Sequence, residues 1–176
     1  MTIRDLKPRV FTWNETSEDS KFLSVETQMK LSLEFYNLTG WGVDFNNRNR
    51  AAGLCSYREK KIYLSKHFVE LNSFTEIEKT IKHEIAHAIS FTYFKERGHG
   101  STWSSVSISI GDDGERCYKS SEVNMPKGKV KYNCINCNKE YSFHRVIKRQ
   151  YACVDCCKKL NFNKFSSLYI LKLVEN

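Results

Sequence analysis

The sequence HEIAHAIS (residues 83–90), followed by GHGS (residues 98–101), decides the fold of this chain. Two histidines four residues apart, His83 and His87, lie about one turn apart on one face of an α-helix and can bind the same metal ion. Glu84 lies between them in the sequence, where it can take a proton from a zinc-bound water. The segment therefore predicts a catalytic zinc site with Glu84 as its general base.

A third ligand is needed, because catalytic zinc usually has three protein ligands and one open position. The chain has five histidines, and three of them fall within residues 83–99. His99 is flanked by Gly98 and Gly100, which allow a tight turn of the backbone. We expect His99 to be the third ligand, although Glu96 or Glu115 would be alternatives. Arg116 and Tyr118, further along the chain, are candidates for stabilising an oxyanion.

The residues around this motif predict a half-buried helix from about residue 74 to 93. Its apolar positions recur at helical spacing, and the sequence from Ser73 to Glu76 resembles a capping box. The apolar face comprises Ile77, Ile81, Ile85, Ala88 and Ile89.

The rest of the first 126 residues predicts a small mixed core. Apolar residues recur at helical spacing from residue 21 to 38, and Gly40 is expected to end this helix. Short apolar runs further along predict strands. The serine-rich segment after the histidines fits either a helix or a strand, and we favour a helix capped by Ser101 and ended by Gly111. In chain order, the other expected elements are strands at 41–45, 51–57 and 61–65, a helical turn at 66–71, and this second helix at 101–110.

A repeated cysteine pattern predicts a second metal site. The sequence YNCINC (residues 132–137) matches YACVDC (residues 151–156), each with a tyrosine two residues before a Cys-x-x-Cys pair. Two such pairs are typical of a four-cysteine zinc ribbon, whereas a redox-active pair would not need the repeat. The repeat selects Cys156 rather than Cys157. The expected structural zinc ligands are Cys134, Cys137, Cys153 and Cys156.

The compartment follows from the cysteines and from the first residues of the chain. Seven cysteines are an odd number, four of them form the two pairs, and the N-terminus lacks the apolar segment of a signal peptide. A reducing compartment with metal-bound thiolates is therefore expected. No apolar stretch is long enough for a membrane span.

The positive charge is confined to the last fifty residues. Residues 1–126 contain 17 Lys and Arg and 17 Asp and Glu, whereas residues 127–176 contain 11 basic and 3 acidic residues. Such a basic module suggests a polyanion partner, although a solvated basic face is the simpler alternative. The candidate nucleic-acid-binding residues are Lys139, Arg145, Lys148, Arg149, Lys158 and Lys159.

With these motifs in order, the chain resembles the SprT-like zinc metalloprotease family, which includes bacterial SprT and the DNA–protein-crosslink protease Spartan. Besides the histidine segment and the ribbon, the resemblance rests on Trp41, on AGLCSY (residues 52–57), on IYLS (residues 62–65) and on Trp103 after the third histidine. His99 follows His87 by twelve residues rather than the six of metzincins, which favours the SprT-like pattern. Because the sequence ends soon after the ribbon, recruitment motifs of the Spartan kind are not expected.

The resemblance implies an α+β protein with a compact zincin-like core of helices and a small sheet. The expected organisation is a loose lead-in at residues 1–20, the core at 21–126 and the basic ribbon at 127–176. The histidine and cysteine motifs together predict two zinc ions per chain. The resemblance further implies cleavage of DNA-bound or DNA-crosslinked proteins that is stimulated by DNA, preferably DNA with single-stranded character.

A monomer is expected, in the cytoplasm near the nucleoid of a prokaryote or virus, or in the nucleus of a eukaryote. Two alternatives remain: a DNA-binding zinc protein with a vestigial zincin scaffold, and a peptidase indifferent to DNA.

Overall fold

The computed structural model describes residues 1–13, 18–116 and 123–174. The chain divides into two compact units, Met1–Met125 and Pro126–Asn176. Over its described residues the first unit combines four α-helices with a three-stranded sheet, so the predicted α+β class is confirmed. In chain order its elements are α1 (Glu18–Phe35), β1 (Gly42–Asn46), β2 (Gly53–Ser56), β3 (Lys61–Ser65), α2 (Lys66–Leu71), α3 (Phe74–Phe94) and α4 (Ser101–Ser109).

The sheet of the first unit has β3 at its centre. β1 pairs with β3 in parallel and β2 pairs with β3 antiparallel, which leaves β2 at one edge. Ile62 and Leu64 of β3 are fully buried, as the alternation of apolar residues predicted. The sheet thus places an edge strand, β2, beside α3, which contacts it.

Helix α3 carries the histidine motif and has the predicted apolar face. Ile77, Ile81, Ile85, Ala88 and Ile89 are all buried. The predicted start is correct, but the Ser73 side chain makes no capping hydrogen bond. Burial of the apolar face, rather than a capping box, therefore stabilises this end of the helix.

Two predicted helix ends differ from the structure. α1 ends at Phe35 and the chain turns at Asn37, which has a φ of 53°, so the turn occurs before Gly40. In α4 the N-cap is Gly100, and Ser101 is already the first helical residue. The first difference is explained by Asn37, because asparagine tolerates the left-handed region and so allows the chain to turn soon after α1, before Gly40.

Residues 1–13 are packed rather than loose. Leu6 is buried in the core, and the Trp13 ring stacks on Phe74 with ring centroids 4.5 Å apart. Arg9 donates a hydrogen bond of 2.6 Å to the Gln28 side chain on α1. This segment has no regular periodicity, so its apolar residues gave no sign of where they pack.

The second unit is a small antiparallel sheet with one short helix. Its strands are β4 (Val130–Cys134), β5 (Glu140–Phe143) and β6 (Leu171–Leu173), in the order β5-β4-β6, and its helix is α5 (Val154–Leu160). Its buried apolar cluster consists of Tyr132, Leu171 and three of the paired cysteines. So small a core needs a further source of stability such as a metal ion.

Across the described ranges, none of the helices combines the length and apolarity that crossing a membrane requires.

Candidate metal centres

The structure brings His83, His87 and His99 together. The Nε2 atom of His99 lies 3.1 Å from the Nε2 atoms of both His83 and His87. Nitrogens bound to a tetrahedral zinc ion at about 2.0–2.1 Å lie roughly 3.3 Å apart. Three imidazole nitrogens that converge in this way are chemically and geometrically suited to zinc. α3 supplies the first two histidines, and the loop between α3 and α4 supplies the third.

Trp103 of α4 contacts all three histidine rings. Its ring centroid lies 4.8 Å from His83, 5.1 Å from His87 and 4.5 Å from His99. The indole is only 1% exposed. Packing of this kind fixes the orientation of the imidazoles. Trp103 belongs to the sequence pattern that resembles the family, but the pattern alone did not indicate this role.

Glu84 faces the cavity beside the histidines from a buried position. Burial raises the pKa of its carboxyl to about 8, and a hydrogen bond from the Cys55 backbone N–H opposes that rise. The cavity has a volume of about 740 Å³ and is lined by Glu84, the three histidines and residues of β2. A bound divalent cation would favour the ionised carboxylate and lower this pKa.

Gly53 on the edge strand gives the Glu84 side chain its space. A Cβ atom at this position would lie 2.5 Å from Glu84 Oε1 and 2.7 Å from its Cγ. No real Cβ contact is so short, so β2 can lie against Glu84 only because residue 53 is glycine.

Glu96 and Glu115, the alternative third ligands, do not join the histidine cluster. The Glu96 carboxylate accepts the Trp103 backbone N–H at 2.9 Å and thereby caps the start of α4. Glu115 and Arg116 line the cavity, but the group that could hold an ion consists of the three histidines. Tyr118 lies outside the described residues.

The four paired cysteines form a second cluster, within the Pro126–Asn176 unit. Sγ of Cys134 lies 3.8 Å from Sγ of Cys156, and Sγ of Cys137 lies 3.7 Å from Sγ of Cys153. Sulfurs bound to a tetrahedral zinc ion at about 2.3 Å lie roughly 3.8 Å apart. The cluster fits a closed four-thiolate zinc site, and Cys157 is not part of it.

The surroundings of Cys153 and Cys156 shift their pKa values in opposite directions. At Cys156 the Asn136 side chain lowers the pKa, but burial and hydrogen bonds to the other three cysteines raise it to about 12. Burial alone would raise the pKa of Cys153, but hydrogen bonds, among them one from the Tyr141 hydroxyl at 3.1 Å, lower it to about 6. The Asn136 backbone N–H donates to Cys134 Sγ at 3.4 Å. The Tyr141 hydroxyl thus stabilises the ionised form of Cys153, which is the form that metal binding requires.

The six candidate nucleic-acid-binding residues are all exposed. Lys139 contacts Asp155, so its charge is partly compensated. Arg145, Lys148 and Arg149 follow β5, whereas Lys158 and Lys159 lie in the last turn of α5. Of the neighbouring aromatic residues, Tyr141 and Phe143 pack on the small core, while Tyr151 is half exposed.

The family model of the SprT-like family matches residues 22–125, which include α3, the sheet and the three histidines. The chain belongs to the SprT-like family. SprT-like proteins generally have a zincin-like metalloprotease fold, and this SprT-like chain has the histidine triad that such a fold uses. The cysteine cluster lies beyond the matched residues. A comparison with curated proteins gave no match.

Proposed function

We propose that this SprT-like chain is a zinc-dependent metallopeptidase that cleaves DNA-bound or DNA-crosslinked proteins and is stimulated by DNA. The observation that carries the peptidase part is the convergence of three histidine Nε2 atoms in a cavity whose wall contains Glu84. Three nitrogen ligands and an adjacent carboxylate are the typical equipment of a catalytic zinc site.

The chemistry divides between the ion and the protein. His83, His87 and His99 would hold zinc, which lowers the pKa of a coordinated water to about 7 and polarises a peptide carbonyl. The Glu84 carboxylate would accept the proton at one of its oxygens and later return it to the leaving amine. The hydrogen bond from the Cys55 backbone N–H to the Glu84 carboxylate helps to orient that carboxylate in the cavity wall.

The edge strand supports a peptide as the substrate. Gly53, Leu54 and Cys55 of β2 line the cavity, and β2 is paired on one side only, with β3. An extended peptide could add to the open side of β2, with its scissile bond near Glu84. Such pairing uses main-chain groups and is therefore compatible with many protein sequences.

The DNA part of the proposal rests on charge and on the family. The net positive charge of the chain belongs to residues 127–176, where exposed Arg145, Lys148 and Arg149 are available to contact phosphates. We place the protein where DNA is, near the nucleoid of a prokaryote or virus, or in the nucleus of a eukaryote.

Incubation of the zinc-loaded protein with a DNA-bound protein, with and without single-stranded DNA, tests this function. We expect fragments that increase when DNA is present. Glu84→Gln should abolish cleavage while retaining zinc, because glutamine cannot accept the proton; loss of a general base costs about 10²–10⁴-fold. Glu78→Gln on the same helix, whose carboxylate pairs with Lys82, is the matched control and should cleave normally.

The result separates the two alternatives. Equal cleavage with and without DNA would identify a DNA-independent peptidase. DNA binding without any cleavage would identify a binding protein on a zincin scaffold.

A further inference from the structure

The Tyr57 hydroxyl lies between two parts of the histidine cluster. Its Oη atom is 3.2 Å from Nδ1 of His87 and accepts the Gly98 backbone N–H at 3.2 Å. Gly98 directly precedes His99. One phenol oxygen therefore contacts both a histidine of α3 and the loop that carries the third histidine.

The direction of the histidine nitrogens decides which atom donates to Tyr57. The three Nε2 atoms face one another, so binding of an ion uses their lone pairs. A neutral imidazole that binds metal through Nε2 carries its hydrogen on Nδ1. Nδ1 of His87 is then a donor, with the Tyr57 oxygen and the Gly98 carbonyl as its acceptors, and the Tyr57 oxygen also accepts the Gly98 N–H.

Two neighbours hold the Tyr57 ring in place. The ring centroid of Phe91 lies 5.0 Å from that of Tyr57, and the Arg97 guanidinium lies 5.5 Å from the Tyr57 centroid. Arg97 belongs to the same loop as Gly98 and His99. The phenol is thus fixed by α3 on one side and by the loop on the other.

We propose that Tyr57 is a positioning residue for the histidine metal centre, one that anchors the segment carrying His99 and, together with the Gly98 carbonyl, sets the tautomer of His87. Within the described residues, Nδ1 of His83 and Nδ1 of His99 make no comparable hydrogen bond. Tyr57 is therefore the point through which β2 and its following turn orient the ligands. The inference rests on the proposed zinc site but not on proteolysis.

A conservative substitution tests the role through metal affinity. Tyr57→Phe keeps the ring and removes the acceptor, and loss of such an outer partner typically lowers metal affinity by about 10–100-fold. Competition with a zinc chelator should show this loss at the histidine site and unchanged affinity at the cysteine site. Tyr63→Phe is the matched control, because the Tyr63 hydroxyl donates to Glu59, away from the histidines, and it should leave both affinities unchanged.

Nitrogen NMR of the zinc-loaded wild-type protein supplies a readout that does not depend on the variant folding. We expect His87 to carry its hydrogen on Nδ1, with slow exchange against water, and Tyr57→Phe to accelerate that exchange without a matching change at His83. A hydrogen on Nε2 of His87 would overturn the proposal, as would a histidine-site affinity within twofold of wild type in Tyr57→Phe.

The same measurements distinguish this inference from the proposed function. A wild-type protein that binds no zinc at the histidines would overturn both. A protein that binds zinc in a Tyr57-dependent manner but cleaves no protein would support the positioning role and overturn only the proposed function.

Discussion

Gly53 is the residue at which the smallest change should have the largest effect on catalysis. A methyl group there would overlap the Glu84 carboxylate, with 2.5 Å between Cβ and Oε1. Glu84 is buried and cannot move away freely, so Gly53→Ala should displace it. We expect cleavage to fall by at least tenfold while zinc content stays at the wild-type value, measured by steady-state kinetics and metal analysis.

Gly42→Ala provides the comparison for that experiment. Gly42 also lies on a strand of the sheet, but a Cβ atom there would meet Lys61 at 3.7 Å, an ordinary contact. This variant should cleave as wild type does. Wild-type kinetics in both variants would show that Glu84 does not depend on the space beside Gly53.

The residues of the two candidate metal clusters were predictable from the sequence, whereas their neighbours were not. His83 and His87 follow from helical spacing, and the cysteines from a repeat, both of which are local patterns. Gly53, Tyr57 and Trp103 act on the same centre from other elements. Contacts between distant segments leave no periodic trace, so only the folded chain shows these three residues around the histidines.

Helix α4 is held at its start by an acidic side chain from the preceding loop. The Glu96 carboxylate accepts a hydrogen bond from the Trp103 backbone N–H. It also packs against the Cα atom of Gly100, so that a Cβ atom at residue 100 would lie only 2.8 Å from Glu96 Oε1. Glu96→Ala should therefore loosen the loop around His99 and lower the melting temperature. Zinc at the histidine site should bind more weakly but should still bind.

His99→Ala is the companion variant. It should lose zinc from the histidine site under conditions in which Glu96→Ala retains it, as measured by metal analysis after gel filtration. The opposite order of zinc retention would make Glu96 the third ligand and His99 a loop residue.

At the level of elements, types were easier to predict than ends. The core strands, α2 and α3 appear close to their expected positions because buried faces impose strong periodicity. The ends of α1 and α4 depend on Asn37 and on a side chain from another segment, Glu96. Residues 1–13 pack through Leu6 and Trp13 without regular spacing, and so were expected to be loose.

The two units should differ in how they hold zinc. The histidine cluster offers three ligands beside an open cavity, whereas the cysteine cluster offers four, three of them buried. Freshly prepared, reduced protein should contain two zinc ions, and a chelator should remove the histidine-bound ion first because a closed site has no open position. Metal analysis over time checks this, and simultaneous release of both ions would contradict it.

For the molecule as a whole, the proposed DNA binding would belong to the Pro126–Asn176 unit, because residues 1–126 have equal numbers of acidic and basic residues whereas residues 127–176 have an excess of basic ones. Replacing Arg145, Lys148 and Arg149 with glutamine should weaken binding to single-stranded DNA. A plot of the logarithm of the binding constant against the logarithm of the salt concentration should also become less steep by about 2, since each lost phosphate contact to single-stranded DNA reduces its slope by roughly 0.7. Fluorescence anisotropy across a salt titration measures both quantities.

The matched variant removes the same charge from the first unit. Arg4, Arg48 and Arg58 are exposed, and their replacement with glutamine changes the net charge equally. If binding follows total charge, both triple variants will weaken it to the same degree, and the basic unit has no special role. If binding depends on where the charges lie, only the variant with Arg145, Lys148 and Arg149 replaced will bind DNA more weakly. In that case the Arg145, Lys148 and Arg149 variant should have the peptidase activity of wild type without DNA, because none of the three residues belongs to the histidine cluster, and only the stimulation by DNA should be lost.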